Sequence, residues 1–164
     1  MLFLKGKVGE RGEQYVIAQF SLFFFIAIGS VPIIGDALIS LLGPVLILGG
    51  LFLVYRAVFD LKDNLSPWPT PADPESGRGS LINEGIYSYI RHPMYSGSLF
   101  GMAGLSLITD SATRFLLTLA LSFVLDAKSD FEETKMTEAY GAEYVEYKGK
   151  VQSKFIPPLT DIFP

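Results

Sequence analysis

Residues 85–97 contain the side chains best suited to chemistry. The stretch reads Gly-Ile-Tyr-Ser-Tyr-Ile-Arg-His-Pro-Met-Tyr-Ser-Gly and includes His92, the single histidine of the 164-residue chain. A helix that begins at Pro93, where no amide hydrogen is needed, turns its positive dipole end and its unpaired amides toward this stretch. An anion such as a carboxylate or a phosphate binds well at such a helix end. Arg91 adds a guanidinium that suits a carboxylate, and His92 exchanges protons near neutral pH.

Aromatic rings and a pair of carboxylates complete this set. Tyr87, Tyr89 and Tyr95 offer ring faces that attract a cation or stack on a base. Glu132 and Glu133 follow the last apolar segment, where a carboxylate can hold ribose hydroxyls or balance a positive centre. Adjacent helical residues point about 100° apart, so one of the two, Glu133, is expected to face a pocket. These groups suit a small molecule with a carboxylate, a cation and a nucleoside, as in S-adenosylmethionine, although a dinucleotide also carries anions and riboses.

Each residue of this set also has a structural use. An arginine at a membrane interface extends its charge into water, a histidine caps a helix, and glutamates at a helix start face solvent. The prediction of a site therefore depends on whether residues 85–97 and the two glutamates meet in space.

Four apolar segments separate these groups and indicate a membrane protein. Hydrophobic residues make up 49% of the chain and charged residues 18%, against about 25% charged residues in soluble domains. A helix needs about 20 apolar residues to cross a bilayer, a length that the first two segments reach and the last two approach. The predicted spans are residues 14–35, 37–57, 93–109 and 112–128. We therefore predict a single all-α domain over residues 1–164, a membrane bundle of about four transmembrane helices with a cytosolic C-terminal helix.

The basic residues predict which side of the membrane holds the candidate site. Of the 13 lysines and arginines, all except Arg114 lie at or beyond the same ends of the four segments. The positive-inside rule then places both termini, the loop 58–92 and the tail 129–164 in the cytosol or its organellar equivalent. The first apolar segment exceeds the core of a signal peptide in length, so we expect a span there rather than a cleaved leader.

Composition argues against several other functions. The net charge of −4 argues against nucleic-acid binding, which requires a basic patch. Because the chain contains no cysteine, it has no disulfide, thiolate zinc site or cysteine nucleophile. A single histidine argues against a histidine-based metal site.

Two further segments carry aromatic residues near the candidate site. Trp68 lies between two prolines in the loop 58–92, and the prolines there oppose helix formation. We expect Trp68 either to anchor the loop at the membrane interface or to line the entrance for a lipid-like substrate. In the tail, three tyrosines repeat at helical spacing from Tyr140, and Gly141 is expected to interrupt the helix.

Two motifs in this order resemble those of a family of membrane enzymes. Residues 91–97, preceded by Gly-Ile-Tyr at 85–87, resemble the Arg-His-Pro-x-Tyr-x-Gly signature of integral-membrane methyltransferases. The tail adds Glu132-Glu133 and residues 140–144, which resemble the glutamate pair and the aromatic-glycine pattern of the same family. The family comprises the isoprenylcysteine carboxyl methyltransferases and the phospholipid methyltransferases. The resemblance covers roughly residues 45–158.

The resemblance implies methyl transfer from S-adenosylmethionine to a lipophilic acceptor in the membrane, either a lipid or a lipidated substrate. It implies a cofactor pocket on the cytosolic side, between the histidine-proline segment and the tail. The residues that it assigns to the cofactor are Gly85, Tyr87, Arg91, His92, Pro93, Tyr95, Glu132 and Glu133. Among these, Arg91 and Glu133 are assigned to catalysis. Both are expected at a polar boundary, where their replacement leaves folding intact.

Three questions stay open at this point. The acceptor is a carboxylate, which needs no base, or an amine, which must first lose a proton to a nearby carboxylate. An NADPH-dependent membrane reductase of the sterol or steroid type is an alternative enzyme. A non-catalytic membrane scaffold of the same fold is the other alternative, and in it His92 and Glu133 are dispensable.

Overall fold

Helices form most of the computed structural model, which describes residues 12–28, 37–65 and 80–156. The five α-helices of these residues are α1 (Glu13–Ile28), α2 (Ala37–Leu61), α3 (Pro93–Ile108), α4 (Ala112–Tyr140) and α5 (Ala142–Lys150). Short 3-10 turns occupy Lys62–Asn64, after α2, and Gly85–Ser88, before α3. The all-α fold class is confirmed. Trp68 lies outside the described residues, so its expected role stays a prediction.

Proline and glycine set the helix ends around the site. α3 begins at Pro93 as expected, because proline fits the first position of a helix. α4 ends before Gly141, whose φ of 56° is a left-handed conformation that glycine adopts without strain. α4 continues well past residue 128, the predicted end of the fourth span. Glu132 and Glu133 therefore lie in the same helix as the fourth apolar segment.

Glycines allow α2 and α3 to lie against each other, backbone to backbone. A Cβ placed on Gly50 would lie 2.5 Å from the carbonyl oxygen of Gly97 and 2.7 Å from the amide nitrogen of Gly101. A Cβ placed on Gly104 would lie 2.5 Å from the carbonyl oxygen of Gly43. Small residues of this kind are what close helix packing in membranes requires. The contact fixes α3, which begins at the candidate site.

Side chains from α1, α3 and α4 form the main core. Its buried members are Ile26 in α1, Tyr95 in α3, and Leu121 and Leu125 in α4. Arg114, the lone basic residue at the far ends of the segments, donates from Nε to the carbonyl oxygen of Ile26 at 2.7 Å. A cation at the C-terminal end of a helix satisfies its last carbonyl groups, so Arg114 fastens α1 to α4.

Outward-facing apolar side chains suit contact with lipid. Within the described ranges, one helix is long and apolar enough to cross a membrane, over Leu41–Leu61. The apolar helix at Glu13–Ala27 is shorter. Large apolar side chains cover the exposed surfaces of α1, α2 and α4, among them Phe24, Phe52 and Phe123. The number of spans stays a prediction.

Candidate functional site

A buried carboxylate, Glu133, lies at the centre of a cluster of charged side chains. Its Oε1 accepts a hydrogen bond from Arg91 Nε at 2.8 Å and lies 3.2 Å from His92 Nε2. Its Oε2 lies 2.5 Å from Lys148 Nζ in α5. Glu133 is only 4% exposed, and a buried carboxylate requires such partners. The structure therefore brings the start of α3, the later part of α4 and α5 to one point, which we call the charged cluster.

The neighbouring carboxylate, Glu132, contacts the other nitrogen of the same histidine. Glu132 Oε2 lies 3.4 Å from His92 Nδ1, and Tyr95 donates its hydroxyl hydrogen to Glu132 Oε1 at 2.5 Å. The expectation that only one glutamate faces the site is wrong. Glutamate side chains are long enough to reach two nitrogens of one ring from positions about 100° apart. The Glu132 side chain is 20% exposed, which makes it the more accessible of the two carboxylates.

Aromatic rings fix the orientation of His92. The Tyr95 ring is nearly parallel to the imidazole, at an interplanar angle of 6° and a centroid distance of 5.4 Å. The Phe155 ring lies 6.1 Å away in a tilted arrangement. Ring contacts of this kind stabilise a side chain in one orientation, so the two imidazole nitrogens are held toward the glutamates.

The charges around His92 and Glu133 set their protonation. Burial lowers the pKa of His92, but hydrogen bonds to Glu132 and Glu133 outweigh burial and raise the pKa above the ordinary 6.5. Burial raises the pKa of Glu133, but hydrogen bonds from His92 and the two basic side chains outweigh burial and hold the pKa well below 4.5. At neutral pH Glu133 is therefore ionised, and the two glutamates favour the protonated form of His92 more than water does.

Arg91 also ties the cluster to the segment after α5. Its Nη1 donates to the carbonyl oxygens of Val151 and Gln152, both at 2.7 Å. Its backbone amide donates to the carbonyl oxygen of Ser153 at 3.0 Å, and the next amide donates to the next carbonyl at the same distance. Residues 151–156 therefore lie as a strap across the start of α3.

Acidic residues of α4 hold the strap in place. Lys154 Nζ lies 2.6 Å from Asp126 Oδ1 and 2.7 Å from Asp130 Oδ1. Ser96 in α3 donates its hydroxyl hydrogen to the carbonyl oxygen of Phe155. The strap thus contacts α3 and α4, two of the three helices that carry the charged cluster.

The expectation that Arg91 and Glu133 lie at a polar boundary is wrong. The side chains of the two residues are 7% and 5% exposed. Removing either one breaks an ion pair between two nearly buried side chains, which costs folding free energy. Both residues therefore support the fold as well as the cluster.

The N-terminal end of α3 offers fewer free amides than expected. Pro93 is fully buried and has no amide hydrogen. The amides of Tyr95 and Ser96 both donate to the carbonyl oxygen of His92 at 3.1 Å. An anion bound here would therefore depend on basic side chains more than on the helix end.

Gly85 and Tyr87 fix the path of the segment that leads to the cluster. Gly85 has a φ of 60°, and a Cβ there would lie 2.6 Å from Asp60 Cγ. Asp60 Oδ2 accepts a hydrogen bond at 2.8 Å from the amide that follows Gly85. The carbonyl oxygen of Tyr87 accepts one at 2.8 Å from the hydroxyl of Tyr147. The sequence analysis did not identify Asp60. Its place four residues after Arg56, at the end of an apolar helix, could have indicated an ion pair there.

A separate groove lies on the surface beside α5. Its volume is about 390 Å³, and its lining includes Ser88, Glu143 and Tyr147. The lining contains none of the residues predicted to bind a cofactor. The groove is therefore distinct from the charged cluster, whose side chains are paired with one another.

The family model that matches this chain, and one of the two relatives described next, are named for methyl transfer. Residues 38–143 match the family model described as phospholipid methyltransferase. A probable protein-S-isoprenylcysteine O-methyltransferase of rice (Oryza sativa subsp. indica) is 34% identical over 74 residues, which are 44% of this chain and 39% of that protein. The cobalt-zinc-cadmium resistance protein CzcN of Cupriavidus metallidurans is 34% identical over 88 residues, 52% of this chain and 40% of that protein. The chain thus matches about two fifths of the length of these curated relatives.

A solved structure shares the helical fold. It is that of a eukaryotic intramembrane Ras methyltransferase, ICMT (isoprenylcysteine carboxyl methyltransferase), with a TM-score of 0.66 and 22% sequence identity. The likeness covers 92% of this chain and 54% of that one. At this level of identity, the likeness shows the fold alone.

Proposed function

The chain belongs to the phospholipid methyltransferase family, and on that premise we propose that it transfers a methyl group from S-adenosylmethionine to a lipophilic acceptor in the membrane. The observation that carries the proposal is the contact of His92 with both Glu132 and Glu133 at the start of α3. His92 and Glu133 are 41 residues apart in sequence. A pocket that both residues line requires them to meet in the folded chain. The relative named as an isoprenylcysteine O-methyltransferase supports the reaction type.

The side chains of the cluster fit the groups of S-adenosylmethionine. Lys148, whose side chain is 51% exposed, and Arg91 offer positive charge to a carboxylate. Glu132 offers an acceptor to ribose hydroxyls or to an ammonium group. The stacked rings of His92 and Tyr95 bring an aromatic surface to the same place, where a nucleobase or a cation could lie against it. We assign the cofactor to these residues, with Gly85, Tyr87 and Pro93 setting the path of the backbone around them.

When bound, S-adenosylmethionine supplies an electrophilic methyl group. The chain contributes position and charge, which account for most of the catalysis in a reaction of this kind. Glu133 holds Arg91 and His92 in fixed places, so these groups need no rearrangement. The burial of the cluster keeps water away from the reacting groups.

The chemistry of the acceptor decides whether a base takes part. A carboxylate acceptor is ionised at neutral pH and needs none. An amine acceptor must lose a proton first. For that case we assign the base to Glu132, because its side chain is 20% exposed and contacts no lysine or arginine of the described residues, whereas Glu133 is buried and paired with Arg91 and Lys148.

We also propose that the cluster faces the cytosol and that the acceptor approaches from the bilayer. The basic residues near the cluster support the first point, through the positive-inside rule. The exposed apolar surfaces of the helices support the second. Trp68 remains our candidate for the entrance of the acceptor.

Equilibrium binding tests the proposal directly. Purified protein in detergent is titrated with S-adenosylhomocysteine and, separately, with NADPH, by isothermal calorimetry. We expect binding of S-adenosylhomocysteine and none of NADPH. Binding of NADPH alone would favour the reductase, and binding of neither would refute the cofactor assignment. Mass spectrometry of lipid extracts incubated with the protein and a labelled methyl donor then identifies the acceptor.

A matched pair of variants on α4 tests the assigned residues. Glu132→Gln removes the accessible carboxylate and is expected to lower the affinity for S-adenosylhomocysteine by about tenfold, the scale of one charged hydrogen bond. Glu138→Gln, whose side chain is 59% exposed and pairs with Lys135, serves as the control and is expected to bind normally. Equal affinities in both variants would remove Glu132 from the pocket. Intact cellular function in folded variants that lack binding would favour the scaffold.

A further inference from the structure

Lys128 is a buried cation to which the proposed reaction assigns no task. It lies in α4, is 5% exposed, and donates from Nζ to Gln19 Oε1 in α1 at 2.8 Å. Gln19 is 9% exposed. The Lys128 ammonium lies 5.0 Å from the centre of the Tyr95 ring, and Tyr95 is hydrogen-bonded to Glu132. Lys128 therefore adjoins the charged cluster without being one of its ion pairs.

The position of Lys128 along α4 puts it on the membrane side of the cluster. α4 begins near Arg114, at the far ends of the apolar segments, and ends at Tyr140 beyond the cluster. Lys128 precedes Glu132 by about one turn, or about 6 Å along the axis. A lipophilic molecule that approaches from the bilayer reaches Lys128 before it reaches Glu132.

The ammonium of Lys128 is an incomplete ion pair. Within the part of the chain that the structure describes, its hydrogen-bond partner is the neutral amide of Gln19, and no carboxylate lies within ion-pair distance. Glu132 acts on it electrostatically but is already engaged by Tyr95 and His92. A buried charge is normally paired, so an anion that reached this point would give Lys128 a counter-charge that the described residues do not supply.

We propose that Lys128 and Gln19 bind the head group of the methyl acceptor, and that this head group is a carboxylate. The ammonium supplies the opposite charge, and the Gln19 amide nitrogen supplies a further donor. A protonated amine would meet Lys128 as a like charge and be repelled. Gln19 lies in α1, outside residues 38–143, which match the family. The inference rests on the proposed function and names its class of acceptor.

Two photoreactive probes that differ only in the head group test this inference. One is hexadecanoate with a mid-chain diazirine, and the other is hexadecylamine with the same diazirine. Each is cross-linked to the purified full chain in detergent at about pH 8, where a carboxylate is ionised and a primary amine is protonated. We expect the carboxylate probe to label α1 and α4 about tenfold more than the amine probe, since like charges in an interface disfavour binding strongly.

Three variants show whether Lys128 causes the preference. Lys128→Met keeps the length of the side chain without its charge and is expected to abolish the preference. Lys128→Arg keeps the charge and is expected to retain it. Gln19→Glu supplies the ammonium with a carboxylate from the chain itself. It is expected to reduce labelling by hexadecanoate. Because this variant leaves no buried charge unpaired, it still tests the inference if Lys128→Met fails to fold.

Binding of S-adenosylhomocysteine, measured on the same samples, separates the two proposals. We expect all three variants to bind it as the wild type does. An unchanged preference in Lys128→Met or in Gln19→Glu overturns the inference. Loss of S-adenosylhomocysteine binding in Lys128→Met also overturns it, because Lys128 then positions Tyr95 and Glu132 instead. If the wild type prefers the carboxylate but does not bind S-adenosylhomocysteine, the carboxylate site stands and the proposed function fails.

Discussion

Glu133 shows how one side chain can serve both the fold and a site. It accepts from Arg91 and from Lys148 through different oxygens and also contacts His92. Breaking a buried ion pair costs about 3–5 kcal/mol, because the remaining charge keeps its desolvation cost without its partner. A loss of activity on changing Glu133 therefore does not distinguish catalysis from folding. The less buried Glu132 is the residue at which the chemistry can be tested alone.

His92 should make the stability of the protein depend on pH. Its pKa is raised above the ordinary 6.5 in the folded state, so the protonated form stabilises the fold. That contribution is fully present below the unfolded pKa of about 6.5 and is lost as the pH rises through the folded pKa. We expect the melting temperature to fall as the pH rises above about 6.5, measured by intrinsic fluorescence in detergent.

A neutral substitute provides the control for this pH dependence. His92→Gln cannot titrate, so its melting temperature should change less than that of the wild type over the same range. The contribution of Glu133 has the opposite sign, because its pKa is lowered, and it is lost only at pH values below about 4.5. It therefore does not interfere in the neutral and alkaline range. Parallel pH profiles for the wild type and His92→Gln would contradict the assignment.

The packing of α2 on α3 decides where the site begins, since α3 starts at the charged cluster. Gly50→Ala should destabilise this contact, because the new methyl group would lie 2.5 Å from the carbonyl oxygen of Gly97. Overpacking of this kind costs about 1–3 kcal/mol. Gly49→Ala is the matched control, because nothing lies within 4 Å of a Cβ at Gly49. Thermal unfolding in detergent should separate the two, and equal melting temperatures would show that the helices are further apart.

Local chemistry predicted the helix ends, whereas the contacts between distant segments were only partly predictable. Pro93 at the start of α3 and Gly141 at the end of α4 act through their own backbones, so the sequence alone identifies them. The meeting of His92 with the glutamates was inferred from motif order and not from spacing. The strap 151–156 was missed, because its hydrogen bonds depend on how the segment after α5 returns to the start of α3. Periodicity along one element contains no information about such a return.

At the scale of the whole molecule, charge and apolar surface together define an orientation. The charged cluster lies at the ends of helices where the basic residues gather, and Arg114 marks the opposite ends. Apolar side chains cover the helix surfaces between these two levels. If the helices cross a bilayer, the turn between α3 and α4 must lie on the side opposite to the cluster.

Cysteine labelling can test this orientation cleanly, because the chain contains no cysteine. Ser88→Cys and Thr113→Cys place single thiols at exposed positions before α3 and in the first turn of α4. In sealed right-side-out vesicles, a membrane-impermeant maleimide should react with Thr113→Cys at once and with Ser88→Cys only after the membrane is opened. Glu146→Cys in α5, whose native side chain is 69% exposed, should behave like Ser88→Cys, because both lie on the side of the cluster. Reaction of all three thiols from the same side would mean that α3 and α4 do not cross the bilayer, and the approach of an acceptor from the membrane would then need another route.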